Sequence, residues 1–533
     1  MNTPVCDYLI VGGGTAGCVL ANRLSADPSC RVILLEAGGP DDDKWIHIPA
    51  GIRYLLREKK HNWFYMTEPS PLTNGRSVYW PRGKVLGGSS SINGMVYIRG
   101  QRTDFDRWAA SGATGWDWDS LFPYFLKIEN QTRGADAYHA VDGPLTVSDR
   151  TNRSEVWTRF IAAAEQLGIP RNPDFNGADQ EGVGYYQATV GNGRRCSAAV
   201  GYLRPVKGRA NLSVITGAMV HHISFEQRRA TGVRYEKDGH WHELRAAREV
   251  LVCGGSINSP QLLMLSGIGP SDELQRHGIG VLHHLPGVGQ HLHDHPDVVQ
   301  VVNAPGLTEL FGLSLRGGLN VLRGMREWRT QRRRMLTTNF AEAGGFIRSR
   351  PEEDAPDLQL HFVIGKLVDH GRKTVLGHGY SLHVCLLQPQ SRGSVRLASG
   401  DPLQAPLIDP GFLAHDGDMA RMVRGFQMGR HILRQPALAQ YGGREVPALA
   451  RAQTEEQIAQ FIRRHADTIY HPVGSCRMGP GPLDVVDGEL RVHGLQGLRV
   501  VDASIMPRIV SGNTNAPTVM IAEKAADMIR QAA

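Results

Sequence analysis

The stretch TIYHPVGSCRMG, Thr468 to Gly479, sets His471 five residues before Cys476. Four chemistries fit those residue types: a base for a cysteine thiolate, a metal ligand, a core residue, or a base for something bound elsewhere in the fold. A second pattern, LPGVGQHLHDHP, alternates His291, His293 and His295, and alternate residues of a strand would share one face as a metal strip. A third lies at the N-terminus, where Gly12, Gly14 and Gly17 form G-x-G-x-x-G and Glu36 follows nineteen residues after Gly17. Glycines there allow a tight turn and let the backbone approach a pyrophosphate, while the acid can accept from an adenosine ribose hydroxyl.

The elements that must hold these groups are legible around them. Tyr8 to Val11 is an apolar run before the glycines, Val19, Leu20 and Leu24 give a helical pattern after them, and RVILLEAGG ends a second strand at Glu36. Strand before, helix after and the acid at this distance make a motif specific that is weak alone in a chain with 62 glycines. WPRGKVLGGSSSINGMVYIRG, Trp80 to Gly100, joins glycines, three successive serines and Asn-Gly. Such a loop offers many backbone N–H groups and would suit a long cofactor crossing the domain. Near the C-terminus, TVMIAEKAADMIRQAA has helical composition, with Pro517 suited to a first turn and Val519, Ala522, Ala526 and Ile529 on one face. The helix is therefore expected to start near Asn515 to Thr518. LQLHFVIG and YSLHVCLLQP are strand candidates.

Length and charge narrow the class. With 533 residues the chain should fold as two to four lobes. The 59 basic and 52 acidic residues leave +7, and no Lys/Arg block with interleaved aromatics marks a nucleic-acid groove. Seven scattered cysteines fit reduced, buried thiols rather than a disulfide framework. MNTPVCDYLIVGGG lacks a basic leader and reads as a strand rather than a signal peptide, and no apolar stretch is long enough to span a bilayer. A soluble or peripheral cytoplasmic protein is expected. The segment Leu315 to Arg334 spaces Leu315, Leu319, Leu322, Met325 and Trp328 helically among Arg323, Arg326, Arg329, Arg332, Arg333 and Arg334. It fits either a lid helix with a solvated basic side or an interfacial helix on anionic lipid that gives access to membrane quinone.

Four blocks, RGKVLGGSSSINGMVYIRG, GGSINSPQLLMLSGIGP, YHPVGSCRMG and VVDASIMPRIVSGNTNAPTVMIAEKAAD, together with the N-terminal fingerprint, resemble the glucose/methanol/choline (GMC) oxidoreductase family. They lie in the family's order across nearly the whole chain. Within the family the chain is most similar to bacterial FAD-dependent alcohol dehydrogenases with a non-oxygen acceptor, and choline dehydrogenases are close. The resemblance implies an α/β architecture: a Rossmann-like FAD-binding domain over 1–150, 190–300 and 465–533, and a discontinuous α+β substrate-binding domain on an antiparallel sheet over 151–189 and 301–464.

The same resemblance implies a cofactor and its contacts. Gly12, Gly14, Thr15, Ala16, Glu36 and Ala37 would hold the adenosine and pyrophosphate of FAD, with Val220 at the adenine and Asp502 and Ala503 returning to the pyrophosphate. Arg82, Val85, Gly87, Asn93, Gly94, Met95 and Val96 would run along the ribityl chain and isoalloxazine, and the helix start with Asn515 and Pro517 would face the flavin's pyrimidine side. FAD should be non-covalent, because Ile92 stands where some relatives carry a tethering histidine. His471 falls on the catalytic base and Asn515 on its partner position. Glu342 falls near the place where choline-oxidising relatives hold a carboxylate against the trimethylammonium group. The histidines from 291 to 295 fall in a structural segment of the family, so no metal is expected, and Cys476 becomes a buried filler. The implied reaction is oxidation of a primary alcohol to an aldehyde, electrons passing to a quinone-like acceptor. An oxygen-using oxidase, a choline dehydrogenase and a hydroxynitrile lyase are the alternatives.

Overall fold

The computed structural model describes residues 5–149, 154–308, 312, 314–333, 335–373 and 375–532. Two seven-stranded sheets organise them. In the first, Val5–Val11 lies parallel between Val32–Glu36 and His240–Val252. Leu212–Thr216 and Leu498–Val500 extend it in parallel, while Arg229–Lys237 and Met219–Glu226 run antiparallel at one side. Leu9, Ile10 and every residue of Val32–Glu36 are buried, which is why these strands read as unbroken apolar runs rather than as alternation.

The glycine motif makes the first turn possible. At Gly12 φ is +104°, and a Cβ on Gly17 would sit 1.9 Å from the Gly12 carbonyl oxygen. Only glycine lets the helix Thr15–Leu24 start this close to the strand before it. That helix packs along the C-terminal helix Asn515–Gln531, so the two ends of the chain meet over one sheet. The expected helix start near 515 is observed, with Pro517 in the first turn.

The second sheet is antiparallel, in the order Arg444–Glu445, Pro296–Asn303, Gly379–Leu386, Leu358–Ile364, Ala343–Ile347 and Gly182–Tyr185. Asp467–Thr468 also pairs with Pro296–Asn303. Both strand candidates are present as neighbours. Along Leu358–Ile364, Leu358, Leu360 and Phe362 enter a core that includes the helix Asp416–Leu433, and strand alternation sends Gln359, His361 and Val363 to the other face. His361 stands opposite His383 in the register. The strand Pro296–Asn303 crosses the expected domain limit at 300, and it and Asp467–Thr468 both belong to this second sheet.

Candidate active site

One long cavity runs between the two sheets. At one end it is lined by Gly12, Gly14, Glu36, Ala37 and Val220, and at the other by His361, His383 and His471. The helix Thr15–Leu24 begins here with Gly14 as its cap and no side chain on its first amides, and Thr15 and Ala16 line the cavity. Unsatisfied N–H groups and the positive end of a helix dipole suit a pyrophosphate. The second glycine-rich loop lies directly against the first: Gly87 N–H donates to the Gly13 carbonyl at 2.7 Å, and a Cβ on Gly88 would meet Gly14 Cα at 2.7 Å. Glu36 accepts from Gly13 N and Gly38 N at 2.8 and 2.7 Å, and burial pushes its carboxyl up to about 7. Asp502 accepts from Gly255 N and Ser259 Oγ at 2.8 and 2.6 Å and lines the cavity beside Ala503. Uncapped amides, an acid held at the cavity edge and two loops stripped of side chains fit FAD.

Arg82, Asn93, Gly94, Met95 and Val96 line the middle of the cavity, as does Ile92. Val85, Gly87 and Pro517, expected at the cofactor, are not in its wall. Val85 is fully buried in a cluster with Ile46, Leu55 and Ile92, Gly87 backs onto Gly13, and Pro517 is buried within the first turn of the last helix. Glu342 also lies outside the cavity wall. It is buried, its carbonyl accepts from Tyr186 N at 3.0 Å, and Asn339, Phe340 and Ala341 form the wall in its place.

The chemistry gathers around His471. His295 Nε2 contacts the Val510 carbonyl at 3.1 Å, and His295 Nδ1 contacts His471 Nδ1 at 3.2 Å. A carbonyl only accepts, so His295 carries its proton on Nε2, and its bare Nδ1 accepts from His471 Nδ1–H. His471 Nε2 is thereby left with a lone pair, contacted by Asn513 Nδ2 at 3.1 Å. Asn513 Oδ1 accepts from Gln359 Nε2 at 3.2 Å, which turns the amide nitrogen toward His471. The network thus assigns both tautomers and the amide orientation. Asp294 anchors the backbone beneath, accepting from His471 N at 2.9 Å and from Trp80 Nε1 at 2.9 Å, and Thr468 Oγ1 donates to it as well.

Two expectations need correction. Asn515 does not flank His471: its Oδ1 accepts from Thr15 Oγ1 at 3.2 Å, tying together the starts of the first and last helices. Asn513, two residues earlier and before the helix begins, holds the expected place. His295 and Asp294, read as ordinary structural positions, contact the His471 ring and backbone directly. His361, His383 and Gln359 had no motif to mark them, and strand alternation on a known cavity face would have been their only signal, whereas Asn513 stood inside the C-terminal block two residues before the position chosen.

The histidine strip does not share a strand face. His291 has φ of +60°, His293 Nε2 accepts from Ile509 N at 3.0 Å, and His295 serves His471. Among the described residues no group of three or more His, Cys, Asp or Glu side chains could hold a metal ion. Cys476 is fully buried, its thiol pushed well above the usual range by burial.

Family models described as GMC oxidoreductase match residues 6–297 and 389–522. The chain belongs to the GMC oxidoreductases. It is an oxidoreductase of a family that binds FAD. This GMC oxidoreductase is similar to alcohol dehydrogenase (acceptor) of Pseudomonas putida, 48% identical over 529 residues, 98% of this chain and 95% of that protein. It is similar to the mitochondrial choline dehydrogenase of Mus musculus at 45% identity over 98% of this chain and 89% of that one. Among solved structures, pyridoxine 4-oxidase from Mesorbium loti superposes with a TM-score of 0.87 at 32% identity, covering 99% of both chains.

The electrostatics of this GMC site favour a neutral histidine. Burial, then the neighbouring His295, His361 and Arg82, hold His471 well below the usual imidazole range. Burial also lowers His295 and His361 to about 3. Since a base must be unprotonated to act, lowering its pKa extends activity toward acid. The acid limb of the kcat/KM profile is therefore expected below the ordinary histidine value of about 6.5. An acid limb at or above that value would contradict the assignment.

Proposed function

We propose that the protein oxidises a primary alcohol to the aldehyde and passes the electrons to a quinone-like acceptor rather than to oxygen. The observation that carries the reading is the His471 Nε2 lone pair, held in one tautomer by His295 and standing at the cavity beside the Asn513 amide. FAD, when bound, supplies the hydride acceptor. An alcohol oxygen between the two side chains gives its proton to His471 Nε2 and accepts from Asn513 Nδ2, so charge growing on that oxygen is shared as the proton leaves. Gln359 keeps the amide turned, and His295 spreads the charge that His471 gains. The name of the Pseudomonas putida relative, an alcohol dehydrogenase (acceptor), supports an alcohol as substrate and transfer of its electrons to an acceptor.

A neutral alcohol fits better than choline. Among the described residues the carboxylates lining the cavity are Glu36 and Asp502, both engaged by backbone amides, whereas Arg53, Arg82, Lys366 and Lys373 bring positive charge to its wall. A quaternary ammonium would lose water with no carboxylate to receive it. In anaerobic bleaching, choline is expected to reduce the flavin about tenfold or more slowly than an aliphatic primary alcohol at equal concentration. Faster bleaching by choline would overturn this choice of substrate. The same panel tests the reading as a whole. No bleaching by any alcohol would sink it in favour of a lyase, and reoxidation by oxygen as fast as by a quinone would make the protein an oxidase.

FAD attachment is non-covalent in this reading, because the side chain at 92 is isoleucine, without a nucleophilic nitrogen, and it lines the cavity. Acid precipitation of the holoprotein is expected to leave all flavin in the supernatant. Yellow, fluorescent protein on a denaturing gel would contradict it.

A further inference from the structure

The helix Leu315–Gln331 presents an unusual face. Gly317 and Gly324 are its buried residues: a Cβ on Gly324 would meet Met335 and Leu336 at 3.4 to 3.6 Å, and Trp328 Nε1 donates to the Gly193 carbonyl at 2.8 Å. The opposite face carries Leu315, Leu319 and Leu322, which at helical spacing fall on one stripe. They are 92%, 66% and 64% exposed, where a helix covering a core would bury them. Arg316 and Arg323 border the stripe, Arg326 and Arg329 continue it toward the helix end, and all four are exposed. The one acid of the helix, Glu327, pairs with Arg323 at 3.2 Å. Arg334, at the end of the basic segment, lies outside the described residues.

This face borders the cavity mouth. Ser314, the helix cap, contacts His378 Nε2 at 2.8 Å, and Leu376, two residues before His378, is 76% exposed. Lys366 donates to the Leu376 carbonyl, and Lys366, Lys373, Gly312 and Gly377 line the cavity. Exposed leucines, flanking arginines and mouth lysines therefore stand on one rim.

We propose that this rim rests on an anionic membrane surface, the leucines entering the acyl boundary and the basic side chains meeting the headgroups, so that the cavity opens toward the lipid. Two features select lipid over a second copy of the chain. A two-fold contact through this face would set its arginines against their own copies, whereas anionic headgroups neutralise them. Along the described helix the exposed leucines alternate with exposed arginines and a single acid, Glu327, itself paired with Arg323, the pattern of a helix lying in an anionic bilayer interface. Apolar alcohols and membrane quinones concentrate in that phase.

Flotation of the FAD-loaded protein with phosphatidylcholine vesicles, with and without phosphatidylglycerol, tests this. Binding is expected to the anionic vesicles at low salt and to be lost at about 1 M salt, where the Debye length is about 3 Å. The Leu319→Glu/Leu322→Glu variant, and separately Leu376→Glu, which lies off the helix, are expected to lower the partition coefficient about tenfold or more. Flavin content and bleaching by a water-soluble alcohol should stay at wild-type values, showing that the variants fold. Equal binding to neutral vesicles, no binding by the wild type, or undiminished binding by both variants overturns the proposal. So does a wild-type dimer that the leucine variants convert to monomer in sedimentation velocity, since a second copy then covers the face. None of these readouts depends on which alcohol is oxidised.

Discussion

Replacing His471 by alanine is expected to slow anaerobic flavin reduction by a factor of about 10² to 10⁴, the usual contribution of a positioned general base. An unactivated alcohol is a poor hydride donor until its proton begins to leave, and His471 Nε2 is the lone pair the network assigns for that proton. The flavin should still bind, because His471 sits at the far end of the cavity from the glycine turns. Full flavin content with slow bleaching therefore separates loss of the base from loss of the fold. A fall of only a few-fold would remove His471 from the mechanism. The test is sharper than activity alone, because stopped-flow bleaching isolates the reductive half-reaction from the acceptor.

The second large effect divides two neighbouring asparagines. Asn513→Ala is expected to lower the flavin reduction rate about 10²- to 10³-fold, the range found when one donor to a developing oxyanion is removed. Asn515→Ala should cost far less in that step, because its side chain accepts from Thr15 rather than facing His471. What Asn515 supports is the meeting of two helix starts, so its loss is expected chiefly as weaker flavin retention during dialysis. A larger rate defect for Asn515→Ala than for Asn513→Ala would restore the pairing that the motif alone implies. Both side chains can be compared within one preparation scheme, since neither is a core apolar residue whose loss leaves a cavity.

The exchange between 513 and 515 shows where residue order stops being informative. In SGNTNAPT both asparagines precede the same helical pattern, and a helix start is readable only to within a residue or two. The structure separates them by conformation. Thr514 caps the helix, so Asn515 is its first residue and turns back toward Thr15, while Asn513 lies in the turn before the cap and reaches His471 and Gln359. His295 was hidden differently. In LPGVGQHLHDHP its alternation with His291 and His293 points to a shared face, yet the positive φ at His291 breaks the strand, and each ring goes to a separate partner. Glu342 was expected near a cationic substrate only by resemblance to choline-oxidising relatives, but the cavity wall is built from the three residues before it.

Local order determined the elements, because a strand, glycine turn and helix are specified by residues that touch along the chain. The first strand, the helix after Gly14, the acid at 36, the terminal helix and the two central strands of the second sheet are all of this kind. Recurrent blocks also sufficed for the family and its cofactor. The tertiary structure alone decided which donor faces His471, which tautomer it holds, and which carboxylates reach the cavity. Those depend on contacts between residues more than a hundred positions apart, such as His295 with His471 and Gln359 with Asn513, and no local periodicity encodes a distance across two sheets. The exposed leucine stripe belongs to the same class: its spacing was readable as helical, but only packing shows that the glycine face turns inward and the leucines remain outside.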